Sequence, residues 1–367
     1  MALRVALVCS WLNQYGGAER VLEAVHEIWP QAPVYTSIHD PEALPDSWRA
    51  WDIRPSWMNR LPGVISHHRL YLPVYAAAFE SMRLRGYDLV LSVSSGFASA
   101  AHGDGQHVCY CLTPPRFLWG LQGYVEREDL RAWQQQLLPL VLAALRAWDR
   151  RAAARVGHFI AISREVQGRI AQFYNRQAPI IYPPVDVGRF QIQQDIDEYF
   201  LVVSRLVPYK RIDLAVRVCT ELGLPLKVVG EGRARQELEM VAGPSVEFLG
   251  WQPDEEVTRL IERCRALLWP GLEDFGITPL EAMAAGRPVV AYAGGGALET
   301  IIDGETGILF AEQTEGSLWQ ALKRLNESHF EPQRLREHAL QFDKSVFQER
   351  LREYVGSPEL EGNASHR

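Results

Sequence analysis

The chain has little cysteine. Five occur among 367 residues, at 9, 109, 111, 219 and 264, each in apolar surroundings, and this odd set argues against a disulfide framework. Cys109 and Cys111 have the spacing of half a metal site. No second cluster completes it, so they read as buried strand residues and no metal is expected. Long apolar runs are also missing. The most lipid-like stretch, Leu137–Leu145, is too short to cross a bilayer and has arginines on its flanks. The opening MALRVALVCSW resembles a secretion signal only weakly. It alternates like a first buried strand and no small-residue cleavage site follows, so cytoplasmic synthesis is expected. Positive charge is not in excess: 38 Lys and Arg against 45 Asp and Glu leave a net charge of −7, which argues against general nucleic-acid binding. Residues 1–183 contain no lysine, but their 18 arginines outnumber 15 acidic residues, so that half carries +3 and the remainder −10. Such a mildly basic half would suit an anionic surface or acceptor. A G-x-G-x-x-G fingerprint is absent, so dinucleotide binding is not supported.

What is present is an ordinary globular composition, 47% apolar and 23% charged, over a length that suits two domains. Short apolar runs alternate with helical patterns. Leu3–Cys9 reads as a buried strand, Asn13–Glu19 as a glycine turn, and Arg20–Ile28 as a helix with Val21, Leu22, Val25 and Ile28 on one face. That is a Rossmann-like opening. Asp40–Trp57, with Trp48, Trp51 and Trp57, reads as irregular, and Leu61–Leu84 as mostly helical. Asp88–Val93 and Val108–Leu112 read as buried strands, with His102 and His107 in a glycine-rich loop before the second. A long helix is expected over Trp133–Arg155. Its arginines read as a solvated face, although Leu137, Leu138, Leu140, Val141 and Leu145 beside them would also suit a membrane interface. Ser163 reads as the N-cap of the next helix. Pro183-Pro184, after a strand, make a stiff connection and mark the domain boundary. A second α/β series starts at Tyr199–Ser204, and the tail from Gly356 reads as disordered.

The stretch 270–300, PGLEDFGITPLEAMAAGRPVVAYAGGGALET, organises the second half. The strand Ala266–Trp269 ends in Pro270-Gly271, a helix is expected from Pro279 to Ala285, and Gly286 stops it. Glu273 lies in the loop before that helix and Glu281 in its first turns. A helix start is an anion site. Carboxylates beside a bound phosphate make sense when each accepts hydrogen bonds from hydroxyls on either side of it. On their own the two glutamates would read as a solvated helix start. Arg205 and Lys210 leave another strand end and precede another helix start, where cations are poorly placed unless they meet an anion.

The whole phrase from Pro270 to Ala291 resembles the retaining glycosyltransferases of the GT-B fold that carry an E-x7-E motif, in the mannosyltransferase-like subgroup of family 4. The resemblance implies an α/β fold of two Rossmann-like domains facing across a cleft: 1–183 on the acceptor side, 184–340 holding the nucleotide-sugar donor, and 341–367 a helix returning to the first domain plus a flexible tail. It implies that Glu281 binds the donor ribose and Glu273 lies by the transferred sugar. The amides of Phe275, Gly276, Ile277, Thr278, Pro279 and Leu280 border sugar hydroxyls and diphosphate. Arg205 and Lys210 hold the diphosphate, Gly230 and Gly250 border the base, and Gly16-Gly17 face the donor phosphates. Gly16-Gly17 read equally well as a tight turn.

Thr113-Pro114-Pro115-Arg116-Phe117 resembles the subgroup's His-Thr-Pro-x-Arg phrase, which places Thr113 and Arg116 on the acceptor side. Leu112 stands where the subgroup has histidine, and Ser95-Gly96 where it often has Ser-His. The function implied is transfer of a hexose, mannose from GDP-mannose first, from a nucleotide sugar to a glycan or lipid-linked acceptor. It needs no cofactor and no metal, and it would take place in the cytoplasm or peripherally at a membrane's inner face. The departures leave two explanations open, an altered donor or acceptor pocket, or a weakened or inactive enzyme that acts as a glycosyltransferase-like binding subunit; a sugar-nucleotide epimerase of the same fold is a further alternative.

Overall fold

A computed structural model describes residues 3–119 and 132–357. The chain divides into two compact units, one of residues up to Tyr182 together with those from Gln348 onward, the other Pro183–Phe347.

The first unit contains β1 (Val5–Cys9), β2 (Val34–Thr36), β3 (Ile53–Pro55), β4 (Arg83–Leu84), β5 (Leu89–Ser94), β6 (His102–Gly103), β7 (Gln106–Cys111) and β8 (His158–Ala161). Six of them form a parallel sheet in the order β3-β2-β1-β5-β7-β8, and β4 pairs with β6. The long pairings, Val5 to Leu89 through Cys9 to Val93, join strands whose residues are all buried, as apolar runs with helices on both faces require. All five cysteines are buried and reduced. Among the described residues no group of His, Cys, Asp and Glu could hold a metal ion, and no helix is long and apolar enough to cross a membrane.

Residues 40–84 depart from the sequence reading. Asp40–Trp57 holds two short 3-10 turns and the edge strand β3, which ends in Pro55 where a missing N–H costs no ladder bond. Trp48 is core and donates to Glu23 at 3.2 Å; Trp51 stacks between it and His26, and Trp57 is exposed. In Leu61–Leu84, read as mostly helical, only Leu72–Glu80 is α-helical; Pro62 and the left-handed Gly63 interrupt the earlier part. His107 is no loop residue: it sits buried in β7, 2.9 Å from Ser92. The helix Ala132–Arg155 exposes Leu140 and Val141 but buries Leu145, and the side chains of Leu137 and Leu138 lie outside the described set, as does the tail from 358.

The second unit contains β9 (Phe200–Val203), β10 (Leu226–Val229), β11 (Val246–Gly250), β12 (Ala266–Trp269), β13 (Val289–Tyr292) and β14 (Gly307–Phe310), all parallel in the order β11-β10-β9-β12-β13-β14. Both large sheets are doubly wound, with the strand order reversing between β1 and β5 in one and between β9 and β12 in the other. Phe200, Val202, Leu226, Val228 and Leu268 pack with the apolar faces of the helices Ile212–Glu221 and Glu315–Glu327. The last helix, Lys344–Val355, begins in the second unit and ends in the first, where Gln348 donates to the Ala24 carbonyl at 3.0 Å.

One buried charge stands out in the first unit. Asp149 accepts from Trp119 Nε1 at 2.9 Å and from the Tyr174 hydroxyl at 2.8 Å. Burial pushes its carboxyl up to about 6, against those two hydrogen bonds, which lower it. In the unfolded chain an aspartate ionises near 4, so between roughly pH 4 and 6 the folded state holds the extra proton and this residue's contribution to stability falls as pH rises. In melting curves from pH 4 to 7.5, Asp149→Asn should flatten that decline, and curves that stay parallel to those of the parent would show that Asp149 does not titrate there.

Candidate functional site

In an open α/β sheet, ligands collect outside the carboxyl ends of the strands where the strand order reverses. In the second unit that point lies between β9 and β12. The loop after β9 runs Ser204–Lys210 and ends in a 3-10 turn, Pro208–Lys210; the loop after β12 runs Pro270–Gly276. The two loops touch backbone to backbone. At Gly271 a side chain would fall 2.8 Å from Lys210 Cα and 2.8 Å from its carbonyl oxygen, so only glycine allows the approach. It brings Lys210 Nζ into an ion pair with a Glu273 carboxylate oxygen. Both side chains are largely withdrawn from water, 18% and 12% exposed. Glu273 is fixed from behind by the turn after β13, where the Gly296 amide donates to the Glu273 carbonyl at 2.9 Å.

The helix that follows runs Ile277–Ala284, earlier than the sequence pattern suggested. Gly276 precedes it with φ +104° and lies flat on Trp269, the last residue of β12, whose ring atoms would be 2.1–2.9 Å from any Cβ. No side chain caps this start, so its first amides, at Ile277 and Thr278, are oriented toward whatever lies in front of them. Pro279 has no N–H to offer, and Leu280 is buried against the core. Phe275 is buried and packs near Phe342, with ring centroids 5.9 Å apart. Arg205 is exposed and makes no ion pair among the described residues.

Glu281 projects from the same helix and is buried. Arg189, in the 3-10 turn Val187–Arg189, places Nη1 3.8 Å from Glu281 Oε1 and 3.5 Å from Asp254 Oδ2, and donates through Nε to Thr258 at 2.7 Å. Neither Arg189 nor Asp254 stands out in sequence. In the structure Pro253 occupies the cap position and Asp254 begins the helix Asp254–Arg263. Gly230 and Gly250 come together, the Gly230 amide donating to the Gly250 carbonyl at 2.7 Å. Lys210, Glu273, Gly276, Ile277, Thr278 and Glu281 are therefore carried by neighbouring loops and one helix at the same strand ends of one unit.

The remaining residues singled out in sequence belong to the first unit. Gly16 is the N-cap of the helix Gly17–Ile28, in extended backbone that any residue adopts. Tyr15 and Trp48 both donate to Glu23, at 2.7 and 3.2 Å, which ties the glycine turn to the helix behind it. The Thr113 hydroxyl accepts from Arg169 at 3.2 Å, and Arg116 opens the short helix Arg116–Trp119. At the reversal point of this sheet the loop after β1 meets the loop after β5. A side chain at Gly96 would lie 3.2 Å from the Trp11 ring and 3.5 Å from Ser10 Oγ, so Trp11 crowds this position.

Residues 189–342 match the family model described as glycosyl transferases group 1. A glycogen synthase of Pseudomonas syringae is 28% identical over 286 residues, 74% of this chain and 55% of that protein. A protein of Mycolicibacterium smegmatis described as a GDP-mannose-dependent alpha-(1-6)-phosphatidylinositol monomannoside mannosyltransferase is 30% identical over 207 residues, 47% of this chain and 52% of that one. The chain thus spans about half the length of the curated relatives it matches. The crystal structure of Anabaena HepE with UDP-glucose superposes with a TM-score of 0.69 over 96% of this chain and 99% of that one, at 18% identity. The chain has the GT-B fold of two Rossmann-like domains, and nearly all of its second unit carries the glycosyl transferases group 1 signature.

Proposed function

We propose that the chain is a retaining hexosyltransferase that moves a sugar, mannose from GDP-mannose in the first instance, from a nucleotide donor to a glycan or lipid-linked acceptor. The observation that carries this reading is the Lys210–Glu273 pair at the strand-order reversal, next to an uncapped helix start and one helix turn from Glu281. In transfer, the bond between the sugar's anomeric carbon and the diphosphate breaks. A bond to an acceptor oxygen forms, and the acceptor's proton passes to the departing diphosphate. The charge growing on that diphosphate needs cations and amides already in position. Lys210, Arg205 and the amides of Ile277 and Thr278 have that chemistry. Glu273 would accept from hydroxyls of the moving sugar, and Glu281 from the ribose. Gly230 and Gly250 would border the base. Gly16 and Gly17 would face the donor phosphates, and Thr113 and Arg116 the acceptor.

The mannosyltransferase relative favours a guanine nucleotide, whereas the glycogen synthases and the UDP-glucose complex leave a uracil nucleotide in contention. The basic first half and the exposed Leu140 and Val141 suit an acceptor held at an anionic membrane surface. A second reading, a binding subunit without turnover, draws on Leu112 and Gly96, which stand where the subgroup resembled in sequence has histidines, and on Trp11 beside Gly96.

Incubation with labelled GDP-mannose and UDP-glucose, with and without glycan and lipid acceptors, separates these readings. Transfer to an acceptor supports the first, binding alone the second, and a new nucleotide sugar from the donor alone would mark an epimerase. Lys210→Ala should weaken nucleoside diphosphate binding and slow turnover about 10- to 100-fold, the worth of a charge-assisted contact; unchanged kinetics would remove Lys210 from the diphosphate site. Glu273→Gln should behave differently. Glu273 pairs with Lys210 in the structure, so neutralising it should leave nucleoside diphosphate affinity equal or tighter while transfer falls by about two orders of magnitude. A loss of diphosphate affinity matching that of Lys210→Ala would contradict this division of roles.

A further inference from the structure

Glu281 is buried, and a buried carboxylate needs a fixed partner to hold it in one orientation. The structure supplies one from a distant part of the sequence. Arg189 is itself only 20% exposed at its side chain and is held on three sides. Its Nε donates to Thr258 at 2.7 Å, its Nη2 approaches the Asp254 carbonyl at 3.4 Å, and its Nη1 stands 3.5 Å from the Asp254 carboxylate and 3.8 Å from Glu281. The guanidinium also lies over the Phe190 ring, 4.9 Å from its centroid. At 3.8 Å the guanidinium attracts the carboxylate without donating a hydrogen bond to it across that gap. A second arginine locks the same turn to the same helix: Arg336 Nη1 donates to the Phe190 and Ala284 carbonyls, each at 2.7 Å. Both ends of the geometry are thereby fixed, the turn that carries Arg189 and the helix that carries Glu281.

We infer that Arg189 is a positioning residue for donor recognition: held by Asp254 and Thr258, it orients the Glu281 carboxylate toward the ribose hydroxyls of a nucleoside diphosphate. This rests on the reading of Glu281 as the ribose acceptor. Arg189 acts through Glu281, so its contribution is felt only when the hydroxyls that Glu281 accepts from are present. A residue that merely stabilised the fold would affect all nucleotides alike.

The test is calorimetric titration of the full chain with UDP and GDP and with their 2′-deoxy and 3′-deoxy forms. The variants are Arg189→Ala, Arg189→Lys, Glu281→Gln and the Arg189→Ala/Glu281→Gln pair. Arg189→Ala should weaken binding of the ribonucleotides about tenfold and that of the matching deoxy form less than about twofold, with Arg189→Lys in between. The double variant should bind no more weakly than Glu281→Gln. Equal losses on ribo and deoxy forms, or losses that add in the double variant, would overturn the proposal. If the parent protein fails to distinguish ribo from deoxy forms, the ribose reading of Glu281 falls and this proposal with it. If Glu281→Gln abolishes that distinction while Arg189→Ala preserves it, the Arg189 proposal alone is lost. Should Arg189→Ala not fold, Arg189→Lys and Arg189→Gln carry the same comparison.

Discussion

The candidate site is built on one steric fact: the loop after β12 meets the backbone of Lys210 at a place too close for any Cβ. Gly271 lets the chain leaving β12 lie against the backbone of Lys210, which leaves β9. Gly276 lets the same chain turn across the face of Trp269 before the helix begins. A methyl group at either place would collide with backbone or ring atoms at well under normal contact distance. The strands around them set the direction of approach, because β9 and β12 are neighbours at the point where the sheet's winding reverses. Charge complementarity follows from this geometry. Lys210 and Glu273 are far apart in sequence and meet because their loops have nowhere else to go.

The charged groups of the site are arranged in pairs beside an uncapped helix start. Lys210 and Glu273 neutralise each other, Arg189 faces both Glu281 and Asp254, and the helix start offers uncapped amides. A largely buried pair such as Lys210 and Glu273 gains little net stability, since desolvation offsets most of the attraction. Its value lies in exchange. Under the proposed function, a diphosphate entering beside Lys210 would replace the carboxylate as the lysine's partner and release it for neutral hydroxyl groups. A single charge left alone in the same place would be costlier to keep buried than the pair.

The legible parts of the chain are those whose structure is decided locally. Strands such as Leu226–Val229 and Val289–Tyr292 are short apolar runs closed by glycine or proline, and Ser163 caps its helix as its chemistry dictates, accepting from the Val166 amide. The stretch 270–284 was readable because strand end, loop and helix follow one another without a break, although the helix starts earlier than Pro279 implied. Residues 40–84 were not readable. The helical spacing of His68, Tyr71, Leu72, Tyr75 and Phe79 arises from a 3-10 turn joined to a shorter helix, and β3 exists only because β2 is there to pair with it. Arg189 was missed for the same reason. Nothing near it in sequence distinguishes it, and its partners come from other helices. Trp11 was also silent, since its crowding of Gly96 depends on two strands meeting side by side.

The first unit is discontinuous: its sheet lies in the residues up to Tyr182, yet it also includes part of the helix Lys344–Val355, where Gln348 bonds to the helix Gly17–Ile28. During synthesis the segment that completes it leaves the ribosome only after every strand of the second unit has emerged. The amino-terminal half must therefore wait, with one helix face bare, while its carboxyl-terminal neighbour is free to fold as an uninterrupted insert.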